Sequence, residues 1–191
     1  NIPLPKKLSS NPSLPLFQEI LQETVIRQFH ADVPLGLLLS GGSDSSLLYA
    51  TWYHKTGTPL PCFTIEVEKK YQSKYQDAEF AKKLVQQIPA SHELVPVDQT
   101  IFLDNWEPYL SSLDQPIGDS ASFLTWMLAS QAKKHVKVLV SGAGADELWG
   151  GYQRHRAFAQ FLKHKDFWVK WAGLLSKVPL GREWKKMTSG I

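Results

Sequence analysis

The sequence predicts an α/β fold, a parallel sheet with helices on both faces. Short strand-like runs recur along the chain, and the first of them, at 35–39, has no polar alternation, as in a strand buried on both sides. Between them lie stretches whose apolar residues return every three to four positions, the mark of helices facing a core. Two of the apolar runs stop abruptly at glycine-bearing loops, residues 40–46 and 141–145, each of which opens onto a helical pattern. Strands alternating with helices imply right-handed crossovers and a parallel sheet, whose ligands sit at the carboxyl ends of the strands.

Taken in order, residues 1–15 carry four prolines and read as a linker. Phe17, Ile20, Leu21, Thr24, Val25 and Phe29 predict a helix over about 16–30. Leu35–Leu39 is the first strand, and the loop Ser40-Gly41-Gly42-Ser43-Asp44-Ser45-Ser46 follows it. A helical pattern restarts at Leu47, and a turn at 57–61 leads to a strand over Cys62–Val67. Residues 68–76 are polar and read as a loop. Asp77 is placed as the cap of a helix with Phe80, Ala81, Leu84, Val85 and Ile88 on its apolar face. Leu94–Val97 is a third strand, 100–113 a helix, 114–120 a loop and 121–134 another helix. Val136–Val140 is the fourth strand, before the second glycine loop. The expected organisation is the linker, a synthetase-type domain over 16–156, and a truncated helical extension over 157–191.

Composition limits the classes. With 191 residues, 43% of them hydrophobic, and a formal charge of only +3, wholesale disorder is excluded. The longest apolar run falls far short of the roughly 20 residues a membrane-spanning helix needs. Cys62, the single cysteine, has no partner for an internal disulfide, and no charged-then-apolar leader precedes the fold. A cytoplasmic setting is therefore expected, with no membrane partner. Nine of the Lys/Arg and only two acids fall between Arg154 and Ile191, against twelve and sixteen before them. Apolar and basic positions interleave there as on an ordinary amphipathic helix, so no nucleic-acid partner is expected. The six histidines show no metal-ligand spacing and read as structural or surface residues.

The loop 40–46 has the parts of a phosphate cradle. Gly41 and Gly42 let backbone approach an anion, and Ser40, Ser43 and Ser45 bring donors to a helix N-terminus. No Gly-Lys-Ser/Thr follows, so no lysine reaches for a terminal phosphate. That fits an enzyme that releases pyrophosphate rather than transferring one phosphoryl group. An acid in an anion site needs a cation, so Asp44 implies Mg²⁺. The loop Ser141-Gly142-Ala143-Gly144-Ala145-Asp146-Glu147 repeats the logic. If both loops line one edge, Asp44 and Asp146 share the metal. A glycine turn with capping acids is the bland alternative for each. Between them, Asp114-Gln115-Pro116-Ile117-Gly118-Asp119-Ser120 has two acids and a rigid proline, fit either to position an amino-acid substrate or to cap a helix.

Together and in this order, the three motifs resemble the synthetase domain of glutamine-hydrolysing asparagine synthase, in the N-type ATP pyrophosphatase superfamily. The second loop continues as Leu148-Trp149-Gly150-Gly151-Tyr152, also like the family. The resemblance covers about 16–156 and implies an adenine nucleotide alpha hydrolase-like fold. It implies that ATP adenylates the β-carboxylate of aspartate with release of pyrophosphate, and that ammonia then gives asparagine. It implies that Leu38 and Ile65 contact the adenosine, Ser141 and Gly142 the nucleotide, and Ser40, Gly41, Gly42, Ser43 and Ser45 the pyrophosphate. Asp44 and Asp146 would hold Mg²⁺, and Asp114, Asp119 and Ser120 the substrate. A glutaminase domain in the parent chain, and a homodimer, are the partners it allows.

The chain departs from the family at Ala143, where an acid is usual at a place associated with the adenylate. Glu147, one helical turn onward, is then the first candidate for the proton-handling role. The glutaminase cysteine is also absent, since Cys62 sits in an expected strand. Three alternatives stay open beside asparagine formation: another amide-forming relative of the β-lactam synthetase kind, a degenerate nucleotide-binding module, and a tRNA-modifying pyrophosphatase of the same loop class.

Overall fold

The computed structural model describes residues 13–72 and 75–165. Among these the elements run α1 (Leu14–Gln28), β1 (Leu35–Leu38), α2 (Ser43–Thr56), β2 (Pro61–Val67), α3 (Lys69–Gln72), α4 (Asp77–Gln87) and β3 (Ser91–Val97). They continue as α5 (Gln99–Ser111), α6 (Ser120–Ala132), β4 (Val138–Val140), α7 (Ala145–Trp149) and α8 (Gln153–Lys163). The chain divides into two compact units, the first ending at Gly142 and the second beginning at Ala143. The cut falls inside the second glycine loop, whereas the sequence places a boundary at Arg156. Residues 1–12 of the expected linker and 166–191 of the expected extension lie outside the described residues.

The first unit is built on a four-stranded, all-parallel sheet in the order β3-β2-β1-β4. Leu37 pairs with Cys62 on one side and with Val140 on the other. Side chains alternate between the faces, which sorts the core into two layers. Leu35, Leu37, Leu39 and Cys62 face one way, against Val25 of α1 and its C-cap Phe29, Tyr49 of α2 and Ala81 of α4. Phe63, Leu38 and Leu139 face the other, against Leu128 and Ala132 of α6. Further along that second face, Ile65, Val95 and Val97 pack on Tyr109 of α5 and on Phe123 and Met127 of α6. Leu37 and Val95 are wholly buried, each worth about 1.5–3 kcal/mol of transfer free energy.

This two-sided covering is the predicted fold class. The strands lie within a few residues of their expected bounds, with β3 beginning earlier, at Ser91. Ser13 caps α1, its hydroxyl accepting from the Leu16 N–H at 3.4 Å, with Pro15 in the first turn. Two local expectations fail. Asp77 is the first residue of α4 rather than its cap, which is Gln76. Phe80 is 47% exposed, while Ala78 and Ala81 are buried, so the buried face of α4 is turned by a residue or so from the expected one. The expected loop over 68–76 also contains the single turn α3. Among the described residues no helix is long and apolar enough to cross a membrane.

The direction of each element fixes where the loops fall. All four strands are parallel, so the loops that leave β1 and β4 emerge at one edge. Strand order reverses between these two neighbours, since β1 leads to β2 on one side while β4 lies on the other. Such a reversal leaves a crevice at the carboxyl ends.

Candidate functional site at the carboxyl edge of the sheet

The loop after β1 is held by its own hydroxyls. The Ser40 N–H donates to Ser45 Oγ at 3.3 Å, the two serine hydroxyls lie 3.1 Å apart, and Gly42 N–H donates to Ser40 Oγ at 3.3 Å. Ser45 is buried, so its hydroxyl organises the loop from within. Gly41 sits at φ +70°, and a Cβ there would lie 2.6 Å from both Ala81 N and Phe80 Cβ. Only glycine meets both demands, the backbone conformation and the close approach to α4. Burial pushes the carboxyl of Asp77, at the start of α4, above its ordinary range.

Gly42 is the N-cap of α2 and supplies no side-chain acceptor to the first turn. The N–H groups at the start of this 14-residue helix are thus left without the side-chain oxygen that usually meets them, and carry the positive end of the helix dipole. Asp44 is half-buried in that turn, accepting from Ser43 Oγ at 3.3 Å.

Gly142, the last residue of the first unit, closes on the same turn. A Cβ on it would lie 3.0 Å from Ser45 N and 3.3 Å from Asp44 Cβ. The two glycine loops therefore meet, and any side chain at 142 would press on the first turn of α2. Leu38 and Ile65 are both half-buried and lie on the same face of the sheet toward this edge, Leu38 pairing with Phe63 two residues before Ile65.

The α6 helix runs antiparallel to the strands, with Phe123 against Val97 and Ala132 against Phe63. Its start is therefore at the carboxyl edge too. Asp119 caps it, Oδ1 accepting from the Ala121 N–H at 2.9 Å, and Ser120 is its first residue. The capping alternative holds for Asp119, whose carboxylate also sits beside a cleft of about 260 Å³ lined by Phe102, Trp106, Tyr109, Ile117 and Phe123. Asp114 is exposed in the loop before it.

In the second unit, Ala143 is exposed and Gly144 caps α7 at φ +98°. The backbone of Gly151 lies so close to Asp146 that a Cβ there would fall 1.9 Å from Asp146 Oδ1. Glu147 is exposed and accepts from the Tyr152 hydroxyl at 2.6 Å. That bond, more than the nearby Arg154 and His155, holds its carboxyl below the usual range.

The synthase-type motifs, the parallel sheet and the meeting of the two glycine loops all point one way, and comparison with known proteins decides it. The family model described as asparagine synthase matches residues 16–190. The chain belongs to the asparagine synthase family. It is 30% identical over 141 residues to "Asparagine synthetase [glutamine-hydrolyzing] 1" of Bacillus subtilis, covering 73% of this chain and 21% of that protein. It is 33% identical over 147 residues to "Asparagine synthetase [glutamine-hydrolyzing] 3" of the same organism, covering 71% and 24%. The chain thus spans about a quarter or less of the length of the curated relatives it matches. Among solved structures, the NH3-dependent NAD synthetase from Campylobacter jejuni aligns over 91% of this chain and 90% of its own, at TM-score 0.48 and 12% identity.

Family membership bears on the remaining candidates. Cys62 is fully buried and desolvation pushes its thiol up to about 12, so it stays an inert thiol. Among the described residues no cluster of three or more His, Cys, Asp or Glu is poised to hold a metal. A Mg²⁺ that arrives on a polyphosphate needs only one or two carboxylates, and Asp44 beside an uncapped helix start fits that lighter demand. Sequence reasoning missed Thr64 and His92. Thr64 is buried in β2, its hydroxyl hydrogen-bonded to the Leu39 carbonyl and 2.8 Å from His92 Nε2. Thr64 is one of two polar residues, with Glu66, in the strand segment 62–67, and nothing local marked it out.

Proposed function

We propose that the chain is the nucleotide-binding part of an ATP-dependent, amide-forming ligase, and that the amide formed is asparagine. The reading rests above all on one juxtaposition: Gly142 packed against the uncapped first turn of α2. With no side chain at 142 to cover it, the start of α2 stays open along the sheet edge to a polyphosphate.

In this reading the N–H groups of Ser43 and Ser45, with the Ser40 hydroxyl and the side-chain-free backbone of Gly41 and Gly42, receive the β- and γ-phosphates, which leave as pyrophosphate. Gly41 keeps the loop against α4, so the cradle is set before the nucleotide arrives and little reorganisation accompanies the reaction. Leu38 and Ile65 offer apolar surface to the adenosine, and Ser141 and Gly142 border the nucleotide from the second loop. Asp44 and Asp146 are the residues that would hold Mg²⁺, which when bound neutralises charge on the departing pyrophosphate. Asp114, Asp119 and Ser120 border the place for aspartate, whose β-carboxylate must meet the α-phosphate. Ammonia then displaces AMP from the activated carboxyl. Asp119 orients through the helix start it caps.

Glu147 is ill-suited to take the proton from ammonia, because its bond from Tyr152 favours the carboxylate and makes it a weaker base. The nitrogen donor in this reading is ammonia itself; glutamine would serve through a glutaminase domain, and the relatives are named glutamine-hydrolysing. The exposed methyl of Ala143 favours a second reading, a nucleotide-binding module with slow or no chemistry. Aspartate-dependent exchange of labelled pyrophosphate into ATP separates the two. Exchange is the expected result in the parent protein; MgATP binding without exchange assigns the module, and no binding overturns both.

A further inference from the structure

The phosphate loop is launched from a single peptide unit, Leu39–Ser40, and both of its polar ends are gripped by hydroxyls. On one side, the Ser40 N–H donates to Ser45 Oγ at 3.3 Å. On the other, the Leu39 carbonyl accepts from the Thr64 hydroxyl. The ladder between β1 and β2 reaches this point, with the Leu39 N–H donating to the Phe63 carbonyl at 2.9 Å. The carbonyl of the same residue then turns to a side chain. Thr64 is 1% exposed, so neither group has water as a substitute partner.

Proton accounting extends the chain outward. A threonine hydroxyl has one proton, and the Leu39 carbonyl takes it. His92 Nε2, 2.8 Å from Thr64 Oγ1, must then be the donor, which assigns its proton to Nε2. His92 sits on β3, paired with Cys62 of β2, so the relay crosses three adjacent strands from the sheet edge to the loop. Burial, followed by the neighbouring Lys82, disfavours the charged ring, while Glu66 opposes them. The Nε2–H donor is present in both protonation states, so the relay does not depend on the charge.

We infer that Thr64 and His92 are positioning residues for the phosphate cradle: the relay His92 Nε2–H to Thr64 Oγ1, and Thr64 O–H to Leu39 C=O, fixes the peptide plane from which Ser40, Gly41 and Gly42 are aimed. This inference rests on the proposed reading of that loop as the pyrophosphate site. Neither residue touches the ligand. Their part is to hold the Leu39–Ser40 plane so that the donors beyond it converge without being reorganised.

Thr64→Val keeps the shape but removes the donor, leaving the Leu39 carbonyl and His92 Nε2–H unanswered. Thr64→Ser keeps the hydroxyl. His92→Leu removes the relay's outer donor from the edge strand β3, where the fold tolerates change better, and His92→Gln retains an N–H. Isothermal titration of the chain with magnesium pyrophosphate, with melting temperature and the Ser40 amide resonance followed in parallel, reads the effect. Thr64→Val is expected to bind about tenfold more weakly and to shift the Ser40 amide. Thr64→Ser should recover most of the affinity. His92→Leu should weaken binding less than Thr64→Val, and His92→Gln less again. If Thr64→Val does not fold, the His92→Leu and His92→Gln pair decides in its place. Wild-type affinity in folded Thr64→Val or in His92→Leu, with an unmoved Ser40 amide, overturns the inference and leaves the loop reading standing. Failure of the wild-type chain to bind magnesium pyrophosphate overturns the loop reading, and this inference with it.

Discussion

The loops at 40–46 and 141–147 share a recipe of small residues, then an acid, then a helix start, yet they are built to different depths. The first is followed by the 14-residue α2 with Ser45 and Tyr49 buried. Its turn is tied by the hydroxyls of Ser40 and Ser45 and lies hard against α4 at Gly41. The second is followed by the five-residue α7, which buries nothing and exposes Leu148 and Trp149. Of its acids, Glu147 accepts from Tyr152, and Asp146 lies close against the backbone of Gly151. An anion cradle must hold its donors in place before the ligand arrives, and only deep packing does that. A loop that supplies one carboxylate needs no such foundation. Damage to the first loop should therefore cost more stability than damage to the part of the second loop beyond Gly142.

The sharpest contrast is between two glycines of positive φ. Gly41→Ala meets strain and backbone together, and should cost about 2–5 kcal/mol of stability or prevent folding. Gly144→Ala has the same kind of backbone conformation but open space around it, and should cost about 1–2 kcal/mol. Urea unfolding of the two variants makes the comparison, and equal losses would break it.

Ser45→Ala comes next. It removes a buried hydroxyl and strands the Ser40 N–H, for an expected loss of about 1–3 kcal/mol and weaker pyrophosphate binding. Chemical denaturation and calorimetry read the two effects separately.

A smaller effect should follow pH. Burial lowers the pKa of His92 from 6.5, so the unfolded chain takes up a proton at a pH where the folded chain still resists it. This contribution to stability is complete above about pH 6.5 and falls as pH drops toward the lowered value. His92→Gln should flatten that part of the profile in denaturation curves taken between pH 7.5 and 5.5. An unchanged slope would show that His92 titrates normally.

Smallest of all is Tyr152→Phe. Its bond to Glu147 lies at an exposed site, so the melting temperature should not move. Only the Glu147 titration, followed by carboxyl NMR, should rise toward the ordinary range.

Much of this was legible in the sequence because burial on both faces leaves a strong pattern. Leu35–Leu39 could be read as a strand from apolar continuity alone, and the glycine loop that leaves it followed. Phe80 was misplaced because helical periodicity fixes a face only to within a residue or so, and Ala78 and Ala81 take the buried side of α4. The meeting of Gly142 with Asp44 and Ser45 could be expected from parallel topology, but its closeness depends on register. The tie between Thr64, His92 and Leu39 is of the same kind: it joins residues on neighbouring strands, and no local motif records which rungs fall side by side. The Tyr152–Glu147 bond is local but needs the turn at Gly150–Gly151, whose geometry the sequence only permits.

The central claim is that the turn joining β1 to α2, faced by Gly142, holds the phosphates of a nucleotide. Amide resonances of the nitrogen-15-labelled chain, followed during titration with magnesium pyrophosphate, test it most directly. Saturable shifts concentrated at 41–45 and 141–142 are the predicted result. Shifts confined to other parts of the chain, such as the cleft beside Trp106, or none at all, would contradict the account.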